Sequence, residues 1–395
     1  MKITIENFEF NQKEIEQKIK SFSKQEEPEF ARYAPDITFF KKALKPYLHY
    51  DNIIVLGHGG SITTTEGIYG ALKNKKKLYI IDTPEPDFLF DIKKNTTKHN
   101  TVMLIVSKSG LTVDLIEIMM YFIDYPMIII TNPEGGTLLE ITKKMNCLFI
   151  EHPNSIGGRF SGFTSSTLVP MYLLGFDIDK FFNGAKDMYK KCGFSKKLKQ
   201  NPALEIASNY YMASIKGRNE IFAPIYSKKM NDFSTLLIQL IHESVCKEGK
   251  GMTIYSSSAP ESQHHTNQRF FGGKKNVSGL FIVTDEKVQK TNRKVLIPKK
   301  LENIPLRDGT LKDLLKNNYA KTLTYEYLGV LEHSRKSKIP HIEIKMERCD
   351  EKELGEFVAM WHYVAVYLSM FHDVNPFDQP EVEYSKDVSF KMRKK

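Results

Sequence analysis

Asn52-Ile53-Ile54-Val55-Leu56-Gly57-His58-Gly59-Gly60-Ser61 decides how the rest of the chain is read. The run from Asn52 to Leu56 has the length and apolarity of a buried strand, and it ends in glycines. Helix-forming residues follow from Glu66 to Leu72, and Leu78 to Ile81 is again strand-like. The alternation continues outward. A helix around Asp87 to Lys94 leads to a strand at Thr101 to Val106. Val113 to Phe122 is helical by composition, Met127 to Thr131 a strand, Leu138 to Lys144 a helix and Cys147 to Ile150 a strand. Strands alternating with helices predict an α/β fold: a parallel sheet with helices on both faces.

The pattern recurs further along. Glu220 to Tyr226, Met252 to Tyr255, Gly279 to Val283 and His341 to Ile344 are strand-like. Helical stretches at Thr235 to Lys247, Gln263 to Phe271 and Lys352 to Phe371 lie between or after them. The chain therefore divides into an N-terminal cap over residues 1–50, a first α/β domain over 51–180, a second over 200–372 and a C-terminal arm over 373–395. The cap carries a short strand near Lys2 to Ile5 and a polar helix from Gln12 to Phe22. The Lys-rich stretch from Asp177 to Ala203 reads as an irregular link.

With 395 residues, 41% of them hydrophobic and 26% charged, the composition is that of a globular protein with a sizeable core. No apolar run approaches the roughly 20 residues of a membrane span, and the N-terminus lacks a signal-peptide core. A cytoplasmic protein is expected, with no membrane partner. Cys147, Cys192, Cys246 and Cys349 are far apart and predict neither a zinc site nor a disulfide framework. The net charge of +10 is spread along the chain, with short runs at Lys75 to Lys77 and Lys391 to Lys395. It reads as a solvated lysine surface rather than a nucleic-acid site, and it would draw in a phosphorylated substrate.

Two strand ends carry the makings of an anion site. Gly57-His58-Gly59-Gly60-Ser61 and Ser107-Lys108-Ser109-Gly110-Leu111-Thr112 each join a buried strand to a helix. Free backbone N–H groups and the helix dipole favour an anion there. The hydroxyls of Ser107, Ser109 and Thr112 suit a phosphate monoester. A competing reading, a dinucleotide fingerprint with Asp82 on the ribose, fails at its third glycine, which is Ile62 here.

Further along, Gly157-Gly158-Arg159-Phe160-Ser161 would turn tightly and aim a guanidinium inward, where it could hold enolate-type charge. Glu243 ends an apolar helix in Leu240-Ile241-His242-Glu243-Ser244. It is either a general base or, more commonly, a solvated helix end. His264 and His265 follow Gln263, and imidazole titrates near neutrality. Asn375-Pro376-Phe377-Asp378-Gln379-Pro380-Glu381-Val382-Glu383 precedes a short helix with Lys386 one turn in.

Taken in order, these segments resemble the glucose-6-phosphate isomerase family from about Asn52 to Lys386. The segment from Asn375 to Lys386 is the most specific of them. The resemblance implies two sugar-isomerase (SIS)-type, three-layer αβα domains. It also implies reversible isomerisation of glucose 6-phosphate and fructose 6-phosphate through a cis-enediol. By the same resemblance, Ser61, Ser107, Ser109 and Thr112, with the backbone at Lys108, bind the phosphate, and Gly60 and Gly158 line the substrate. Arg159 stabilises the enediolate, Glu243 moves the proton between C2 and C1, His264 assists ring opening, and Lys386 serves the ring-oxygen end. A homodimer that shares His264 between subunits is implied, and no metal or cofactor. Several positions depart from the family pattern: His58 for an aliphatic residue, Leu111 for threonine, Val113-Asp114 for a Glu-Thr pair, Cys246 for glycine, and the extra His265. The alternatives are a dual phosphoglucose/phosphomannose isomerase and a non-catalytic phosphosugar-binding protein on the same fold.

Overall fold

Strands that are apolar on both faces need cover on both sides, so they collect in parallel sheets sandwiched by helices. The computed structural model, which describes residues 1–72 and 76–394, follows that rule. Lys75 of the first basic run and Lys395 of the tail lie outside the described residues. The first sheet is built from β2 (Asn52–Gly57), β3 (Lys77–Ile81), β4 (Thr101–Val106), β5 (Met127–Thr131) and β6 (Leu148–Glu151), in the order β3-β2-β4-β5-β6. All its pairings are parallel. The chain leaves β2 toward β3 on one side and returns to β4 on the other. The winding therefore reverses between β2 and β4, and ligands of open α/β sheets bind at the carboxyl ends of such a pair.

The second sheet holds β7 (Glu220–Tyr226), β8 (Thr253–Ser258), β9 (Val277–Thr284) and β12 (His341–Met346), again parallel. Its fifth strand corrects the sequence reading. β1 (Lys2–Glu6) is not part of a separate cap; it pairs antiparallel with β12, Ile3 opposite Ile344 and Ile5 opposite Ile342. A free cap strand would leave one edge of that sheet unpaired, and β1 covers it. The sheet order is β1-β12-β9-β7-β8. A small hairpin, β10 (Pro305–Leu306) with β11 (Gly309–Thr310), projects from the segment after β9.

A second correction concerns the supposed link. Residues 178–192 are not irregular but form the helix Ile178–Cys192. Phe181, Phe182, Ala185, Met188, Tyr189 and Cys192 recur at helical spacing and are buried, while the lysines occupy the other face. The charge count hid the apolar stripe. Helices Pro202–Ser214 and Tyr319–Lys336 were likewise not foreseen.

The axis of the core is the helix Glu351–Phe371. It packs on Ile178–Cys192, Pro202–Ser214 and Ser234–Val245, and Trp361, Tyr363 and Tyr367 are among the largest fully buried side chains. Its length and composition would suit a membrane span, yet 89% of its most apolar 18-residue window is buried inside this molecule.

The N-terminal segment reaches this core through Phe30. Its ring stacks on Phe160 at 5.0 Å and lies edge-on to His362 and Tyr363 at 5.2 and 5.6 Å. Phe30→Ala should destabilise the protein by about 3–5 kcal/mol, the usual cost of emptying a buried aromatic site. Urea unfolding would measure it, and a loss below about 1 kcal/mol would show that the cluster closes over the gap.

Candidate active site

The register of the first sheet places the two predicted anion loops side by side. Gly57 ends β2 opposite Val106 at the end of β4, and each loop starts at the next residue. Both therefore flank the point where the winding reverses. In the second loop the Ser107 and Thr112 hydroxyls are 2.8 Å apart, and Ser109 Oγ accepts from the Leu111 N–H at 3.2 Å. Ser61 and Ser107 are buried, Thr112 partly so, and Ser109 exposed. The Lys108 side chain is half-buried, and burial pulls its ammonium below the ordinary value. Behind it His152, absent from the sequence reading, is wholly buried. Burial lowers it to about 4, its bond to the Pro153 carbonyl opposes that, and nearby Lys108 lowers it further. It is neutral.

The first loop meets the arginine segment backbone to backbone. A Cβ on Gly60 would lie 2.2 Å from the Gly158 carbonyl carbon, so only glycine permits the approach. Ser161 Oγ donates to the Gly60 carbonyl at 3.1 Å and seals the contact. Gly59, at φ +52, leaves room for Gln239, whose Nε2 would be 2.8 Å from a Cβ there.

That contact sets Arg159 beneath the loops, and the guanidinium organises everything near it. Nε donates to Ser244 Oγ at 2.9 Å. Nη1 donates to Glu243 Oε2 at 3.1 Å and Gln379 Oε1 at 2.7 Å. Nη2 donates to the Pro376 and Asp378 carbonyls at 2.6 and 2.9 Å. A guanidinium has five N–H groups, and all five are engaged. Its side chain is 2% exposed. Burial lowers its affinity for the proton and Glu243 opposes the shift, but an arginine stays charged throughout.

Glu243 sits near the end of the helix Ser234–Val245, one turn after Gln239. Its Oε1 accepts from Gln239 Nε2 at 2.9 Å and its Oε2 from Arg159. Its side chain is 34% exposed, so it is held firmly yet reachable from solvent. One turn further on, Lys247 donates to the Asn375 carbonyl and to Asp378 Oδ1 at 2.7 Å. The bond from Lys247 holds the Asp378 carboxyl below its usual range. Arg159 and Lys247 together fasten the segment from Asn375 to Gln379 to the body.

The structure thus brings Arg159, Glu243 and Gly158 together with Gly60 and the first loop, and the second loop lies beside the first. It does not bring in the other two predicted groups. His264 ends a short turn, Glu261–His264, beyond β8 and is exposed. Its neighbour His265 pairs with Thr266 Oγ1 at 2.6 Å. Lys386 lies on the helix Glu383–Met392, which has no buried residue, and pairs with Glu383 at 2.7 Å. Among the described residues no hydrogen bond or ion pair joins either group to Glu243 or Arg159. Gln239, Ser244, Lys247, Asp378 and Gln379 were missed as site residues. Three of them, Ser244, Asp378 and Gln379, stand inside quoted motifs. Gln239 carried one signal, its i,i+4 spacing to Glu243.

A partly exposed carboxylate, a fixed buried cation bonded to it and two loops that carry hydroxyls can move a proton on a phosphorylated substrate and tolerate the charge that develops. Among the described residues no cluster of metal-ligating side chains occurs.

Comparison with known proteins agrees with this chemistry. Residues 47–395 match the family model of phosphoglucose isomerase. A probable glucose-6-phosphate isomerase of Methanococcus maripaludis is 27% identical over 356 residues, covering 86% of this chain and 78% of its own. The glucose-6-phosphate isomerase of Methanocaldococcus jannaschii is also 27% identical, covering 87% and 85%. Among solved structures, a hypothetical protein of Thermus thermophilus superposes with TM-score 0.85 at 18% identity, over 96% of this chain and 94% of that one. A glucose-6-phosphate isomerase of Chlamydia trachomatis superposes with TM-score 0.75 at 17% identity, over 96% and 77%. At such identities the superpositions establish the fold.

Proposed function

The chain belongs to the phosphoglucose isomerase family, and from that premise we propose that it interconverts glucose 6-phosphate and fructose 6-phosphate with Glu243 as the proton carrier. The observation that carries the assignment is the Glu243 carboxylate, fixed by Arg159 and Gln239 beside the phosphate loops. The phosphate rests on the loops at Ser61 and at Ser107 to Thr112. Glu243 removes the C2 proton from the open-chain aldose. The C2–H electron pair becomes the C1–C2 double bond, the carbonyl oxygen gains the charge, and the product is the cis-enediolate. The O2 hydroxyl proton passes to the O1 oxyanion, the same carboxylate returns its proton to C1, and the electrons of the C1–C2 double bond and of O2 leave C1–H and the C2 carbonyl of the ketose.

The role of Arg159 differs in one respect from a direct oxyanion clamp. With its five donors engaged by protein, it acts on the enediolate through its buried charge. It also keeps Glu243 in place.

His264 and Lys386 complete the reaction only if other surfaces meet the cleft. In this reading His264 of one subunit reaches the cleft of the other, so the active form is a homodimer. The exposed Leu296, Ile304 and Leu306 around the hairpin, and Tyr319 and Leu328 on the adjacent helix, are apolar surface suited to such a contact. Lys386 acts from the C-terminal helix. A cytoplasmic location fits the free thiols.

The test couples glucose 6-phosphate formation from fructose 6-phosphate to an NADP-dependent dehydrogenase, with mannose 6-phosphate assayed alongside. Turnover of the glucose–fructose pair alone is expected. Comparable turnover of mannose 6-phosphate would move the assignment to the dual-specificity enzyme. Phosphosugar binding without any turnover would move it to a sensor. The shared site has its own test. Glu243→Gln and His264→Ala homodimers should each be inactive, and mixing them after subunit exchange should restore about a quarter of wild-type activity, because each heterodimer regains one intact site. No recovery despite exchange would place His264 in its own subunit's cleft or outside the reaction.

A further inference from the structure

His58 stands between the strand Asn52–Gly57 and the turn Gly59–Ser61, and its position gives it a task. Its backbone is extended and leads directly into the turn Gly59–Ser61. Its Nε2 lies 3.1 Å from Asp114 Oδ2. Asp114 stands in the first turn of the helix Val113–Tyr121, two residues past Thr112. The same nitrogen has no solvent exposure and makes no well-aligned hydrogen bond, and the Asp114 carboxylate is the charged group it faces. His58, at the end of the strand Asn52–Gly57, and Asp114, in the first turn after Thr112, are therefore the two ends of one contact. That contact spans the two phosphate loops.

The first loop needs such a tie. Three of its five residues are glycine, and a glycine-rich turn loses the most freedom when it is fixed. One side is held by the Gly60–Gly158 approach and by Ser161. The other side faces the second loop, and the His58–Asp114 pair closes it. The other charges near Asp114 are Glu117, on the same helix, and Arg393. Arg393 donates to both Glu117 carboxylate oxygens at 2.9 and 3.1 Å and is attracted to Asp114 as well.

We propose that His58 is a positioning residue for the substrate phosphate. It acts through Asp114 to hold the Gly59–Ser61 turn in register with the loop from Ser107 to Thr112. The inference rests on the phosphate-site part of the reading above and does not depend on Glu243 being the base.

The experiment is a double-mutant cycle on the affinity for inorganic phosphate, measured by calorimetry, with KM and kcat for fructose 6-phosphate alongside. His58→Leu and Asp114→Asn should each weaken phosphate binding by up to about fivefold, the upper end of what a partly exposed charged contact contributes. The double variant should be no weaker than the worse single, because the two changes remove one interaction. KM should rise by the same factor, and kcat should change less. His58→Gln should recover part of the affinity. It also serves as the test if His58→Leu does not fold. Unchanged phosphate affinity, effects that multiply in the double variant, or a fall in kcat at constant KM would each overturn the proposal. So would a wild-type protein that binds no phosphate. A wild-type protein that binds phosphate but turns over no sugar would remove the isomerase reading and leave this one standing.

Discussion

Glu243→Gln is expected to lower kcat by about three orders of magnitude, within the usual range for losing a positioned general base. The protein should remain folded. The amide is nearly isosteric with the carboxylate, it can still accept from Arg159, and Gln239 can turn its own amide to meet the new NH2 group. The loss is therefore chemical rather than structural. Two measurements isolate it. Exchange of the substrate C2 hydrogen with deuterated solvent should stop together with turnover. Binding of inorganic phosphate should stay within about threefold of wild type, because removing a base costs transition-state rather than ground-state binding. A variant that kept a tenth or more of the wild-type kcat would show that another group carries the proton.

Arg159→Lys is expected to be worse than its conservative appearance suggests. The guanidinium reaches Ser244, Glu243, Gln379 and the Pro376 and Asp378 carbonyls at once. A lysine ammonium has three donors at a single point and cannot span that set. Buried acceptors would lose their partners, and breaking such a buried ionic cluster costs about 3–5 kcal/mol. The segment from Asn375 to Gln379 would retain Lys247 as its remaining charged anchor. We expect a lowered denaturation midpoint, faster proteolysis within residues 373–395 and a fall in kcat/KM of about 10², the scale at which misplaced catalytic groups show. Stability and kinetics should move together. Loss of kcat/KM with an unchanged midpoint would mean that Arg159 serves the enediolate alone. Near-normal values of both would remove it from the site.

How much of this was legible beforehand depends on how locally each feature is specified. β2, β4 and β5 are buried at every position, and such runs announce themselves without knowledge of the partner strands. The two anion loops follow, because each is the turn that ends such a strand. Glu243 and Arg159 were singled out by the resemblance of their motifs to the family, residue types alone having left both open, and their contact joins positions 84 residues apart. The helix Ile178–Cys192 was misread because ten-residue composition averages over its two faces, whereas its burial depends on spacing. β1 was misread for a different reason. Its five residues alternate weakly, and only the exposed edge of β12 gives them a place.

The sequence by itself determined the α/β class, the two loops that can cradle a phosphate and the family to which the chain belongs. All three rest on short-range patterns: apolar runs, glycines at strand ends and ordered motifs. The tertiary structure decided which side chains act together. Gln239 and Gln379 join Glu243 and Arg159 only because a close backbone approach at Gly60 and Gly158 lets two loops touch. His58 meets Asp114 only because β2 and β4 are neighbours in the sheet. Contacts of that kind depend on how sheets and helices pack over long sequence separations, and local propensity carries no record of them.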